Sequence, residues 1–269
     1  MRIAVCVKQV PDSWAEKKMN GQVLDRAGVD AVLNDLDEYA IEQALQIVEA
    51  NSPTKEAGPE SGHTITLISM GPDRANEAIR KGLSMGADEA IHVVDDGLAG
   101  SDALATSLVL ANVIKSGNFD LVFCGTESTD ARMSVVPAML AQRLGWAQLT
   151  FAASVAVDVG LSEVKIARAT EVGIENMSAK FPAVISVNEK INEPRYPSFK
   201  GIMAAKKKSI QAKSLSDLGI TPSEVGGKAA WSNVKDALLR PARGAGIKVE
   251  DSGDGGSKLV DFLAEKRVI

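Results

Sequence analysis

The run Gly125-Thr-Glu-Ser-Thr-Asp-Ala-Arg-Met-Ser gathers groups that suit a phosphate. Thr126, Ser128, Thr129 and Ser134 offer hydroxyls, Arg132 offers charge, and Gly125 lets backbone approach a ligand closely. An apolar run, Phe119 to Cys124, precedes it, and a helical pattern from Val135 to Leu144, closed by Gly145, follows. Strand, Gly/Ser/Thr turn, helix is the order that sets a phosphate on a helix N-terminus. The segment is neither a GxxxxGKS/T loop nor a GxGxxG fingerprint. An ordinary polar strand-to-helix loop accounts for the same residues, and spacing alone does not choose.

Two further stretches belong to the same question. Ile3 to Val7 reads as a buried strand, and Lys8 to Trp14 then lies at its carboxyl end, where open α/β sheets form their ligand crevice. Asn34 opens a helix whose Leu36, Ala40, Ile41, Ala44, Leu45 and Val48 form one apolar stripe. Asp37 stands three residues on, as in a capping box. Asn34 and Asp37 either cap that helix or face a nucleotide.

Bond-making chemistry is poorly supplied. There are two histidines, His63 and His92, and no Ser/His/Asp set can be assembled around them. The adjacent acids Asp95-Asp96 and Asp37-Glu38 read as solvated pairs. Cys6 and Cys124 lack CxxC spacing and sit in apolar runs, so they read as small buried hydrophobes, with neither a zinc site nor a disulfide scaffold. No residue stands out as acid, base or nucleophile, which fits a protein that holds a nucleotide or a redox partner better than an enzyme.

The elements that position these residues alternate. Thr64 to Ser69 reads as a strand. Pro72 suits a helix start, with Ala75, Ile79 and Leu83 inward. Ile91 to Val94 is a strand, and Ser101 caps a helix to Lys115 with Leu104, Leu108, Ala111 and Val113 or Ile114 inward. Val155, Val157 and Val159, then Val164, Ile166 and Arg168, alternate as a hairpin. A further strand at 170–180 precedes Ala183 to Val187, back in the main sheet. Asn20-Gly21 marks a tight turn, and 51–63 reads as an exposed insertion. The pattern predicts an α/β fold: a doubly wound, mostly parallel, Rossmann-like sheet with an antiparallel hairpin. The expected organisation is an α/β domain over 1–190, a loop and short helix over 191–210, and a glycine-rich C-terminal arm over 211–269 ending in an amphipathic helix from Leu259 to Lys266, whose apolar face packs on a partner subunit or back on the chain.

Composition agrees with a globular chain: 45% hydrophobic, 24% charged, net charge −5. Nothing points to nucleic acid, and no apolar run approaches the roughly 20 residues of a membrane helix. The apolar start is too short for a secretory signal, so the expected location is the cytoplasm.

The stretch from Phe181 to Lys208 contains a stiff loop with Pro194 and Pro197 bracing Tyr196 and Phe199, then a helix over Ile202 to Lys208 that ends in three lysines. The two rings either fold back on the chain or project as anchors for a partner. Here Lys190-Ile-Asn-Glu-Pro-Arg-Tyr-Pro-Ser-Phe-Lys-Gly-Ile-Met-Ala-Ala-Lys-Lys-Lys closely resembles the signature of the electron transfer flavoprotein β subunit. Val7-Lys-Gln-Val-Pro-Asp, Met85-Gly-Ala-Asp, and Asp120-Leu-Val-Phe-Cys-Gly with Ser128 and Asp130 extend the resemblance over roughly residues 1–210.

The resemblance implies a heterodimer with an α subunit that carries most of the FAD site, and a structural AMP in this chain. It implies AMP contacts at Cys6, at Asn34, Asp35, Leu36 and Asp37, and at Met70. It implies further contacts along Gly125, Thr126, Glu127, Ser128, Thr129, Asp130, Ala131, Arg132, Met133, Ser134, Val135 and Val136. Ser13 or Trp14 would approach the flavin. A docking loop of Glu193, Pro194, Arg195, Tyr196, Pro197, Ser198 and Phe199, flanked by Lys206 to Lys208, would meet acyl-CoA dehydrogenases, with electrons passing on to a membrane quinone oxidoreductase. Many relatives carry proline where this chain has Asp35, whose side chain is expected to face solvent. Some relatives hold a second FAD in place of AMP. The rival readings on the same sheet are an adenine-nucleotide hydrolase or transferase, with Asp130 binding a metal, and a homodimeric nucleotide sensor.

Overall fold

The computed structural model describes residues 1–21, 23–52, 62–238 and 241–269. The insertion expected at 51–63 falls largely on 53–61, outside the described residues. Two compact units are present, Met1–Lys235 and Asp236–Ile269.

In the first unit the chain runs β1 (Arg2–Cys6), β2 (Gln9–Pro11), β3 (Met19–Asn20), β4 (Val23–Leu24), β5 (Ala31–Leu33), α1 (Asp35–Asn51), β6 (Thr64–Met70), α2 (Asn76–Met85) and β7 (Glu89–Val93). It continues through α3 (Ala103–Gly117), β8 (Leu121–Gly125), α4 (Val136–Leu144), β9 (Ala147–Asp158), β10 (Glu163–Thr170), β11 (Gly173–Lys180) and β12 (Ala183–Val187). Then come α5 (Phe199–Ala205), β13 (Ile210–Lys213) and α6 (Gly226–Ala229).

Among the described residues nine strands form one sheet in the order β11-β10-β9-β12-β8-β1-β6-β7-β13. From β9 to β13 the neighbours pair in parallel, and β9-β10-β11 is the antiparallel edge. Alternation along the central strands divides the core. Ile3 and Val5 face Ile41 and Leu45 of α1 and Ile79 and Leu83 of α2. Ala4 and Cys6 face Val109 and Val113 of α3 and Leu140 of α4. Helices thus cover both faces, as in a doubly wound sheet. Among the described residues no helix is long and apolar enough to cross a membrane.

Several local readings change. The cap of α3 is Asp102, whose carboxylate accepts from Ala105 N at 3.0 Å, and not Ser101. Leu104 is 39% exposed, whereas Ala111, Val113 and Ile114 are buried as expected, together with Ala105 and Val109. β9 begins at Ala147, well before Val155. Its first half pairs in parallel with β12, its second half antiparallel with β10, and Phe151 between them has φ +62°. That irregularity interrupts the two-residue alternation and hides the strand. The polar segment after Lys208 adds β13 beside β7 and buries Leu215, Ile220 and Val225 in the α3/α4 core.

The turn at Asn20-Gly21 is present, with Gly21 at φ +62° between β3 and β4. The second unit contains α7 (Gly255–Glu265), which exposes Leu259, Val260 and Phe262.

Candidate functional site

The chain leaves β1 for β6 and β7 on one side, then returns to β8 and β12 on the other. The direction reverses between β1 and β8, and their carboxyl ends open a crevice there. Lys8 follows β1, the loop 126–135 follows β8, and a small β2–β5 ribbon brings the start of α1 against both.

Asn34 holds this crevice together. Its Nδ2 donates to Asp37 Oδ1 at 2.9 Å and to the carbonyl of Glu127 at 3.0 Å. Its Oδ1 accepts the backbone N–H of Thr129 at 3.0 Å. Asp37 Oδ2 accepts Lys8 N at 2.8 Å, and Asn34 N donates to Lys8 O at 2.9 Å. Neither residue caps α1, which has no side-chain cap. Both are buried and spend their polar groups joining three loops, so the capping reading is replaced. Gly125 makes the junction close: a Cβ there would lie 2.7 Å from Asp37 Oδ1 and 2.8 Å from the carbonyl carbon of Leu36.

The loop itself is tightly built. Thr126 donates from its N and its Oγ1 to Val187 O at 2.9 and 2.8 Å. Ser134 Oγ donates to Glu127 Oε2 at 2.8 Å. Arg132 and Ser134 sit at φ +49° and +55°, left-handed conformations uncommon for residues other than glycine and concentrated here in one loop. Ala131, Arg132 and Met133 are exposed. Val135 leads into α4, whose first turn has no side-chain cap; Pro137 carries no N–H, so Val136 and Ala138 are the donors left there.

Asp130 is enclosed by cations. Lys8 Nζ lies 2.9 Å from Oδ1 and also donates to Ser128 Oγ at 3.2 Å, while Arg26 pairs with Oδ2. Burial opposes ionisation of Asp130, but the charge of Lys8, hydrogen bonds from Ser128 and Lys8, and Arg26 hold its pKa down at about 2. For Asp37 burial wins over the N–H donors of Asn34, Lys8 and Gly125 and pushes the pKa up to about 7. The two acids therefore act on stability in opposite directions. Asp130 contributes stability that is complete above its unfolded value and is lost as pH falls through about 2. The contribution of Asp37 is complete at low pH and is lost as pH rises through about 7. Thermal melts between pH 2 and 5 will show a shallower acid loss for Asp130→Asn than for the wild type. Parallel curves would remove Asp130 from the acid response. A carboxyl-carbon NMR titration of Asp37 will show its midpoint near neutrality.

The other expected residues are placed as follows. Asp35 is exposed, as expected, and Leu36 packs on Gly125. Cys6 and Cys124 are buried free thiols in register on adjacent strands, facing the α3/α4 core. Met70 ends β6, half-buried against that same core. Sequence reasoning missed Arg26. It lies in an irregular segment held from outside by Arg74, which donates to the carbonyls of Arg26 and Val29 at 2.7 and 3.1 Å. Among the described residues no group of three His, Cys, Asp or Glu could hold a metal ion.

Further along α1, at Tyr39, Glu42, Gln43 and Glu49, the loop 191–198 is attached and leads into α5. Tyr196 is 97% exposed and Phe199 81%, so neither ring folds back on the chain. Ile202 and Met203 continue the apolar patch at helical spacing. Lys206 and Lys207 are exposed, but Lys208 is not part of this surface. Its Nζ donates to the carbonyls of Leu83, Gly86 and Ala87, at 3.2, 3.3 and 2.5 Å, and closes the C-terminal end of α2.

The fold and crevice define an open α/β chain built around a switch-point site, with an exposed apolar loop elsewhere on its surface. The family model described as the electron transfer flavoprotein domain matches residues 21–218. The chain is 46% identical over 270 residues to the electron transfer flavoprotein subunit beta of Mycobacterium leprae, covering 99% of each chain. It is 34% identical over 277 residues to that of Megasphaera elsdenii, covering 100% of this chain and 98% of the relative. It is 31% identical over 269 residues to that of Methylophilus methylotrophus, covering 98% of each. The chain belongs to the electron transfer flavoprotein family, on its β-subunit side, and so to a family of electron carriers.

Proposed function

We propose that this chain is the β subunit of a heterodimeric carrier. It binds AMP in the crevice between β1 and β8 and pairs with an FAD-carrying α subunit. In the cytoplasm it takes electrons from acyl-CoA dehydrogenases toward a membrane quinone oxidoreductase. The observation that carries the reading is the Asn34 junction, which fixes the loop 126–135 over an uncapped helix start in a chain of this family.

The donor set suits a nucleoside monophosphate. The first-turn N–H groups of Val136 and Ala138 and the hydroxyl of Thr129 would hold the phosphate, with Ser128 and Ser134, whose protons go to Asp130 and Glu127, bracing the loop and Gly125 leaving room at the crevice floor. Cys6 and Met70 supply the less polar wall. Asp35, turned to solvent, keeps its charge away. Asp130 is paired by Lys8 and Arg26, so it is a strut for the loop and not a free metal ligand, which favours the carrier over a hydrolase. The flavin supplies the redox chemistry. This chain binds, orients and shields: Ser13 and Trp14, the latter 94% exposed, form the edge offered to the flavin-bearing partner. The arm beyond Lys235 presents the apolar face of α7 to that subunit. Tyr196, Phe199, Ile202 and Met203, beside Lys200, Lys206 and Lys207, form the dehydrogenase dock.

The test is nucleotide release from the co-expressed heterodimer, followed by chromatography. One AMP and one FAD per heterodimer is the expected result. Two FAD and no AMP would replace the AMP reading, and no stable flavin-containing complex would overturn the carrier reading. Phe199→Ala is expected to slow reduction by the dehydrogenase about tenfold or more with flavin content unchanged.

A further inference from the structure

The docking loop has no regular secondary structure before α5, yet its base is fixed to one face of α1. Arg195 spans two acids on that face. It donates to both oxygens of Glu42 at 2.7 and 3.0 Å and to both oxygens of Glu49 at 2.6 and 3.0 Å. Its backbone N–H adds a bond to Glu42 Oε2 at 3.2 Å. The seven-residue spacing of the acids is two helical turns, which puts both on the same face. Glu42 is 4% exposed, and a carboxylate so buried needs a full partner. Asn192 strengthens the attachment, donating to Tyr39 O at 3.1 Å and Gln43 Oε1 at 3.3 Å.

A second fixed point lies just beyond Phe199. Ser198 Oγ accepts Gly201 N at 3.0 Å and caps α5. Gly201 lies so close to α2 that a Cβ would sit 2.5 Å from Ser84 O. Tyr196 and Phe199 therefore stand on a short span tied at both ends, while their rings remain exposed.

We propose that Arg195 is the positioning residue of the docking loop: its double fork onto Glu42 and Glu49 sets where Tyr196 and Phe199 stand and so sets affinity for the partner dehydrogenase. The proposal rests on the docking role given above to the loop. The fork pre-organises the anchor, so the ordering entropy of the span is spent in folding and not at each encounter. The opposing account is that Arg195, partly exposed, steers an acidic partner by its charge alone. Lysine keeps that charge but cannot bridge two carboxylates bidentately, so the two accounts separate on Arg195→Lys.

The experiment uses the intact heterodimer carrying Arg195→Gln, Arg195→Lys, Glu49→Gln or Phe199→Ala. Each variant is checked for flavin content and absorbance spectrum. Steady-state reduction is then measured with an acyl-CoA dehydrogenase that reduces the wild type, the heterodimer being the varied substrate. Arg195→Gln is expected to raise KM about tenfold with kcat within about twofold. Arg195→Lys should fall between it and the wild type, and Glu49→Gln should raise KM severalfold although it leaves the arginine charge in place. Hydrogen exchange of 193–199 should quicken in Arg195→Gln. Unchanged KM in Arg195→Gln and Glu49→Gln, beside a raised KM in Phe199→Ala, would overturn the proposal and leave the dock standing. Wild-type KM in Arg195→Lys would overturn it in favour of charge steering. Unchanged KM in Phe199→Ala would remove the dock itself, and the proposal with it. If Arg195→Gln does not assemble, Glu49→Gln, which removes half of the fork, decides.

Discussion

Gly125→Ala will destabilise the chain by about 3–5 kcal/mol, which lowers Tm by roughly 10 °C for a domain of this size. The added methyl would lie 2.7 Å from Asp37 Oδ1, 2.8 Å from the carbonyl carbon of Leu36 and 2.9 Å from its Cβ. Two of these atoms belong to Leu36 at the start of α1, and none is the free end of a flexible side chain. Relief requires the first turn of α1 to lift from the end of β8. That movement stretches the Lys8 N to Asp37 bond and the two bonds from Asn34 to the loop, at 2.8, 3.0 and 3.0 Å. Overpacking alone costs about 1–3 kcal/mol, and each buried polar group left unpaired costs about the same. Gly145→Ala is the matching control. Gly145 has φ +68° with nothing within 4 Å of an added Cβ, so its replacement carries only the left-handed strain of about 1–2 kcal/mol. Melting curves of the two variants would separate lost room from lost backbone freedom. Equal losses would mean that close approach at Gly125 is not what joins α1 to β8.

Legibility in the sequence follows the range of the interaction. The central strands β1, β6, β8 and β12 were readable because strands buried on both faces are nearly continuous apolar runs. The position of the crevice was readable because it depends only on strand order and on polar loops at carboxyl ends. The partners inside it were not. Asp130 meets Lys8 across more than a hundred residues, and Arg26 comes from a segment with no periodicity at all. Lys208 looks like its two neighbours in a basic run, and only the end of α2 distinguishes it. β13 is short and polar because it is an edge strand, where one side has no sheet to satisfy. Arg195 was placed in the docking loop by resemblance, but its two acids lie on α1, about 150 residues earlier, and no local signal pairs them.

Asn34→Asp discriminates best between the capping role first open to Asn34 and the junction that its hydrogen bonds form. A plain N-cap accepts aspartate as readily as asparagine, and the helix dipole would favour the added charge, so a capping Asn34 predicts little or no loss. The structure predicts the opposite. Nδ2 of Asn34 is a donor to Asp37 Oδ1 at 2.9 Å and to Glu127 O at 3.0 Å, and aspartate replaces that donor with a second buried carboxylate. The loss expected at neutral pH is about 3–5 kcal/mol, more than for Asn34→Ala, which leaves Thr129 N–H and Glu127 O unpaired at about 2–4 kcal/mol. Because burial already pushes Asp37 up to about 7, one proton shared between the two acids would relieve the repulsion. The Asn34→Asp chain should therefore regain more stability on acidification from pH 8 to pH 5 than the wild type or Asn34→Ala, in which only protonation of Asp37 itself contributes. Denaturant unfolding at the two pH values measures both. An Asn34→Asp chain as stable as the wild type at pH 8 would return Asn34 to capping and remove the junction that holds the loop 126–135 over the start of α4.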